Sequence, residues 1–201
     1  RCILTLKMLK EVKENESSDS VFDICDDAGL EEMYLIDDNM AGFLEAFTNA
    51  EALKIKLVFG LRLTFCPDSS NKSEEGRQHS YKNIIFAKNA NGYKQLIKMD
   101  FKNLKPLWSN DLLLAIPFYD SFLYKNKYTD SQCVPDFSFV EPIFFVEDND
   151  VLFDKDMQDR VSDFCSDKYE TKQTKSIYYK DRKDFAAYLT FRCINGRTTV
   201  E

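Results

Sequence analysis

The spacing of the apolar runs constrains this chain most. EMYLI (32–36), KLVFGLRLTF (56–65), NIIFA (83–87), LLLAI (112–116), IFFVE (143–147) and SIYY (176–179) are short, mostly rich in β-branched or aromatic residues, and bounded by turn formers. Each reads as a β-strand. Their near-continuous apolar character suits strands covered on both faces, as in parallel sheets. Helical patterns lie between them. Ser20 or Asp19 is placed to cap VFDICDDAG, with Gly29 as its stop. GFLEAFTNAEAL puts Phe43, Phe47 and Ala50 on one stripe, continued by Leu53. NGYKQLIKM reads as a short helix opened by Asn91. DKDMQDRVSDFC and DRKDFAAYLTFRCI read as longer helices, the second with Phe185, Leu189 and Cys193 on one face. This alternation predicts an α/β fold with right-handed crossovers, open or closed into a barrel.

Composition narrows the classes. With 201 residues, 44% of them apolar, the chain can bury one full core, and it reads as a single domain over 1–201 without internal repeat or linker. A net charge of −7 argues against a dedicated nucleic-acid surface. No run approaches the roughly 18 apolar residues that cross a bilayer. No signal peptide is visible, so a cytoplasmic setting without membrane contact is expected. The six cysteines, Cys2, Cys25, Cys66, Cys133, Cys165 and Cys193, form no CxxC pair and read as buried free thiols of a reducing compartment. His79 is the single histidine, in the polar stretch EEGRQHSYK, which excludes a site built on several imidazoles from these residues. Segment 66–82 reads as a surface loop, and 124–138, broken by Pro135, as an irregular connection.

The stretch LIDDNMAG (35–42) carries the most chemistry. It sets Asp37, Asp38 and Asn39 between an apolar run and a helical pattern. Two carboxylates there can attract a hard cation weakly, but two alone give neither the geometry nor the affinity for catalysis. The alternative is a plain strand end, with Asp38 or Asn39 capping the helix that follows. Elsewhere the signals are weaker. Glu141 and Glu147 flank a strand but are unremarkable in an acidic chain, VEDNDVLFDKD reads as a solvated loop, and Trp108 reads as core. No phosphate-binding glycine loop is present among only six glycines.

YLIDDNMAGFLEAFTNAEALKIKLVFGLRLTF resembles the PHP (polymerase and histidinol phosphatase) domain at the N-terminus of bacterial DNA polymerase III alpha subunits. In that family a strand ends in Thr-Asp-His. A glycine and a helix follow, then a GIKPI-like turn and a strand with Gly-x-Glu. NMAG matches the approach to that glycine, Gly42, and KIKLVFGLR matches the turn and strand. IIFAKNANGYKQLIKM is similar to the family's LLAKN..GY.NL segment, and SIYYKDRKDFAAYLTFRCINGRTT to its last strand and helix. The likeness runs from about residue 20 to 199, and its divergence, with the stretch LLLAIPFYDSFLYKNKY, points to a phage-type version.

The resemblance implies a distorted (β/α)7 barrel with a site at the C-terminal ends of its strands. Six strands are read here. The first, which carries His-x-His in the family, either lies before Arg1, the preferred reading, or is CILT with both histidines replaced. Active members bind two or three divalent ions, Zn or Mn, that activate water against a phosphate ester. Carried onto this sequence, the Asp-His pair falls on Ile36 and Asp37, or on Asp37 and Asp38, and the Gly-x-Glu glutamate on Arg62. The histidine before LLAKN falls near Lys82. The late Asn-Asp-x-His falls on 175–178, ending at Tyr178, with neither Asp nor His. An arginine cannot ligate a cation, and it repels one. Asp37, Asp38, Arg62, Lys82 and Tyr178 are therefore expected to be vestigial metal-site positions, with no catalytic residue and no cofactor. Only Asp37 and Asp38 remain as weak metal candidates. Arg62 is expected to pair with one of these aspartates. Tyr178 and Tyr179 fit partner contact and packing equally.

The implied role is a degenerate domain in a larger replicative polymerase. It would brace the remaining polymerase domains or dock a proofreading exonuclease, with DNA met through the parent protein. The rival is an active metal-dependent phosphoesterase or 3′–5′ exonuclease with ligands upstream of Arg1.

Overall fold

The computed structural model describes residues 4–5, 19–68, 70–74, 76, 79–99, 104–129 and 131–196. The chain divides into two compact units. Arg1–Tyr34, Met40–Leu57 and Ser176–Glu201 make the first, and Leu35–Asn39 with Val58–Lys175 the second. In chain order the elements are β1 (Leu4–Thr5), β2 (Asp19–Ser20), α1 (Val21–Asp27), β3 (Glu32–Asp37), α2 (Phe43–Leu53), β4 (Lys56–Phe65) and β5 (Tyr81–Ala87). These are followed by α3 (Ala90–Lys98), β6 (Leu112–Ile116), α4 (Phe122–Tyr128), β7 (Ile143–Val146), α5 (Asp154–Cys165), β8 (Thr171–Gln173) and α6 (Phe185–Gly196). The fold is mixed α/β.

The main sheet has the order β3-β4-β5-β6-β7-β8. Its directions are mixed, where the near-continuous apolar runs had suited the strands of a parallel sheet. β4–β5 and β5–β6 are antiparallel, whereas β6–β7 and β7–β8 are parallel. Continuous apolar runs report burial of both faces and carry no information on direction, which follows from the connections. Side chains alternate between faces along each strand. One face gathers Ile84, Phe86 and Ala115, with Val58, Leu113 and Phe145 against them. Gly60 belongs here because a Cβ would stand 2.5 Å from the Phe86 ring. The opposite face takes the helices. Phe144 meets Phe122 of α4 at 6.4 Å and Phe164 of α5 at 5.5 Å between ring centroids, and Phe59 meets Tyr93 of α3 at 6.4 Å. Burying a side chain of this size stabilises a fold by roughly 1.5–3 kcal/mol. Gly92 lets α3 approach closely, since a Cβ there would lie 2.3 Å from the Asp111 carbonyl oxygen.

In the first unit α1 is capped by Ser20, whose Oγ accepts from the Asp23 N–H at 3.2 Å, and Gly29 follows it with φ +62°. Phe22 and Cys25 of α1 are buried, as are Met33, Ala46, Ala50 and Ile55. β1 and β2 pair in parallel, Leu4 with Asp19 and Thr5 with Ser20. Arg1, Cys2, Ile3 and Leu6 of the candidate first strand lie outside the described residues.

Several expected elements shift. SIYY is not a strand. The last strand is Thr171–Gln173, three exposed residues held by backbone pairing to β7, which apolar patterning cannot reveal. Tyr178 and Tyr179 instead pack their rings on Tyr188 of α6 at 5.6 and 5.4 Å. On α2 the buried positions are Ala46 and Ala50, while Phe47 is 42% exposed and stacks on Phe43 at 5.9 Å. On α6 Leu189 and Cys193 are half-buried and Phe185 is exposed. Asn89, not Asn91, opens α3, its Oδ1 accepting from the Asn91 and Gly92 N–H groups at 2.9 and 3.0 Å. A helix missed in the irregular stretch, α4, is capped by Ser121, whose Oγ accepts from the Tyr124 N–H at 3.2 Å.

Candidate functional site

β3 ends at Asp37, whose Oδ1 accepts the Asp38 N–H at 2.6 Å. Asp38 then faces β4. Arg62 donates from Nε to Asp38 Oδ1 at 2.7 Å and from Nη2 to Asp38 Oδ2 at 3.0 Å. This is the fork-on-carboxylate geometry that a planar guanidinium favours, and it is the pairing expected of Arg62. Neither Asp38 nor Asn39 caps α2. Its N-cap is Gly42, without a side-chain bond. Strand register puts Arg62 opposite Ile84 and Thr64 opposite Lys82, so Arg62, Thr64 and Lys82 share one sheet face. Lys82 donates from Nζ to Thr64 Oγ1 at 2.7 Å. Tyr178 belongs to the first unit, 48% exposed.

A divalent centre of the expected kind needs several nitrogen and oxygen ligands converging at about 2.0–2.2 Å. These residues do not fit one. Both carboxylate oxygens of Asp38 point at a guanidinium, and Lys82 adds a second cation on the same strands. A fixed positive charge a few ångström from an ion costs roughly several kcal/mol at intermediate dielectric. Among the described residues no group of three or more His, Cys, Asp and Glu is placed to hold a metal ion. His79 is half-buried, and its backbone carbonyl accepts from the Cys133 thiol at 2.8 Å.

A family model described as PHP domain matches residues 14–127. That is more than half of the chain. The chain belongs to the PHP domain family. The matched stretch contains Asp37, Asp38, Arg62 and Lys82, and ends before β7. No curated protein matches the sequence.

Partly beyond the matched stretch, this PHP chain holds a second polar group that the sequence did not reveal. VEDNDVLFDKD is not simply solvated, because Glu147 and Asp154 are buried. Tyr119 donates its hydroxyl to Asp154 Oδ1 at 2.6 Å, and Asn149 bridges Tyr119 and Glu147 Oε2 at 3.2 and 3.0 Å. Asp154 Oδ2 accepts the Asn149 and Val151 N–H groups at 2.8 and 3.2 Å. Burial opposes the charge on Asp154, but hydrogen bonds from Tyr119, Asn149 and Val151 outweigh it and hold the carboxyl below its ordinary range. Burial first, and the bond to Asp154 second, push the Tyr119 phenol up, so it stays protonated as a donor. Glu141 is exposed, so the weighed pair of Glu141 and Glu147 joins an exposed group to a buried one. The only advance signal was DND just before a helix start, the composition of an Asx-type turn.

Cys25, Cys66, Cys133, Cys165 and Cys193 are free thiols. Cys25, Cys133 and Cys165 are buried, while Cys66 is exposed just past the end of β4, which corrects the reading of all as buried. Burial pushes the Cys165 thiol up to about 11, so it is inert at neutral pH. Trp108 is half-buried, edge-on to Phe139 at 5.8 Å. No helix among the described residues is long and apolar enough to cross a membrane.

Proposed function

We propose that this chain is a degenerate PHP domain, acting as a structural or exonuclease-docking module of a replicative polymerase of the DNA polymerase III alpha type. The bidentate Arg62–Asp38 pair carries the reading, because it sets an internal cation where the family resemblance expects a metal ligand. Lys82 at a second such position supports it. The polymerase context rests on the ordered motifs of residues 34–65 and 84–99 and of the C-terminal segment. On this reading residues 1–201 are one domain of a larger cytoplasmic protein. Its strands belong to a distorted seven-stranded barrel, and it meets DNA through the parent chain.

The test is metal loading of the full chain. Mn²⁺ or Zn²⁺ is expected neither to raise the thermal midpoint nor to release p-nitrophenol from its phosphate ester or nucleotides from single-stranded DNA. Tight binding with hydrolysis would return the domain to the metal-dependent phosphoesterases and 3′–5′ exonucleases. Reading the gene past Glu201 tests the context: palm-domain sequence there supports it, and a stop codon removes it.

A further inference from the structure

Four half-buried rings, Phe137, Phe139, Phe164 and Tyr169, line one surface cavity of about 830 Å³ in the second unit. Phe164 and Tyr169 lie nearly parallel, at 6.0 Å and 11°, and Phe137 stands edge-on to Tyr169 at 5.9 Å and 75°. Two rings thus make a floor and a third a wall. The buried Phe144 holds Tyr169 in place at 5.5 Å. A cation already uses this floor. Lys168 also lines the cavity and is exposed, yet its Nζ lies 4.8 Å from the centre of the Tyr169 ring. That is within the distance at which an aromatic face attracts positive charge. The carboxylates at the rim favour the same sign. Glu141 lines the cavity, is exposed, and pairs with no cation among the described residues. Asp136 lines it too, but accepts the Ser138 N–H at 2.8 Å and lies 3.7 Å from Lys105. Asp163, Asp167 and Glu170, exposed beside the floor residues in the chain, and a net charge of −7 add to the negative field.

We propose that this cavity docks an arginine of a partner protein segment, its guanidinium stacked on Phe164 and Tyr169 in place of the Lys168 ammonium and paired with Glu141. A guanidinium is planar and less strongly hydrated than an ammonium, so it stacks flat on rings and offers a fork to a carboxylate. The cavity exceeds one arginine side chain several-fold in volume. It therefore has room for the residues flanking the arginine, which points to a peptide chain as the source and not to a free guanidine. The site lies beyond residue 127, the end of the matched stretch, so it stands or falls apart from the reading of Arg62 and Asp38.

Acetyl-Ala-Arg-Ala-amide, its citrulline counterpart and N-acetylarginine amide are titrated into the full 201-residue chain, with the ring resonances of Phe164 and Tyr169 followed by NMR. Citrulline keeps the shape of arginine and removes its charge. The arginine peptide should shift both rings and bind about tenfold more tightly than the citrulline peptide. It should also bind more tightly than N-acetylarginine amide. Glu141→Gln should lose about fivefold in affinity for the arginine peptide. Lys168→Met should gain about threefold, because the competing cation is gone from the Tyr169 ring. Equal binding of the arginine and citrulline peptides, or no ring shift with the arginine peptide, overturns the proposal. So does N-acetylarginine amide binding as tightly as the peptide, unchanged affinity in Glu141→Gln, or weaker binding in Lys168→Met. The comparison of probes on the unmodified chain decides it even if a variant fails to fold.

Discussion

Two carboxylates of the second unit, Asp38 just past β3 and Asp154 at the start of α5, meet the same electrostatic problem in opposite ways. Asp38 is 55% exposed in its side chain and is balanced by a full opposite charge on the neighbouring strand. Asp154 is 3% exposed and is balanced by neutral donors, a phenol and two backbone N–H groups. The exposed pair is screened by water, so its formation energy is small, and its consequence is chemical: it occupies oxygens that an ion would need. The buried group is structural. It ties the loop of residues 148–151 to the first turn of α5 and to Tyr119 after β6, and breaking it strands several donors at once. A charge at a family site position thus decides chemistry while contributing little stability, and a charge outside the matched stretch does the reverse.

The largest expected effect is on Asp154. Asp154→Ala should lower unfolding stability by about 3 kcal/mol in urea denaturation, because Tyr119 Oη and two N–H groups lose their acceptor together. Tyr119→Phe should cost about 2 kcal/mol, because Asp154 Oδ1 loses its phenol donor and Asn149 Nδ2 loses an acceptor, while Oδ2 keeps its two N–H bonds. If both variants match the parent chain, the contrast with Asp38 fails. Acid sharpens it further. The folded-state pKa of Asp154 lies below the ordinary 3.8, so its stabilisation is complete above that value and lost as pH falls through the folded value. Asp154→Asn should therefore flatten the acid limb of a stability-against-pH curve. The smallest effect is expected at the exposed pair. Arg62→Gln should cost less than about 1 kcal/mol, and that difference should shrink as salt rises from 0.05 to about 1 M. A loss of several kcal/mol in Arg62→Gln would make the pair a structural element like Asp154.

Much of the second unit was legible because its strands are uniform apolar runs. KLVFGLRLTF and LLLAI coincide with β4 and β6 to the residue. DKDMQDRVSDFC coincides with α5, its buried Met157, Val161 and Cys165 recurring at helical spacing. β8 was not legible, because Thr171, Lys172 and Gln173 are exposed and only the β7 backbone makes them a strand. α4 was missed because FLYKNKY is too short to show a helical period. Its start is fixed by the Ser121 cap and its place by Phe122 against Phe144. At the candidate site, Asp38 and Arg62 were found through the resemblance, which aligns positions along the chain. Glu147, Asn149 and Asp154 looked like a solvated charge run, because composition cannot tell whether a carboxylate will meet a phenol brought from residue 119.

By itself, then, the sequence determined an α/β chain of the PHP family with a basic residue where an acidic ligand is expected, since local periodicity and motif order are written along one dimension. Strand direction, the bidentate grip of Arg62 on Asp38, the burial of Asp154 and the cavity walled by Phe137, Phe164 and Tyr169 were decided by tertiary structure. Each depends on which distant groups share a small volume, and there desolvation and hydrogen-bond geometry, not residue type, set the energy of a polar side chain.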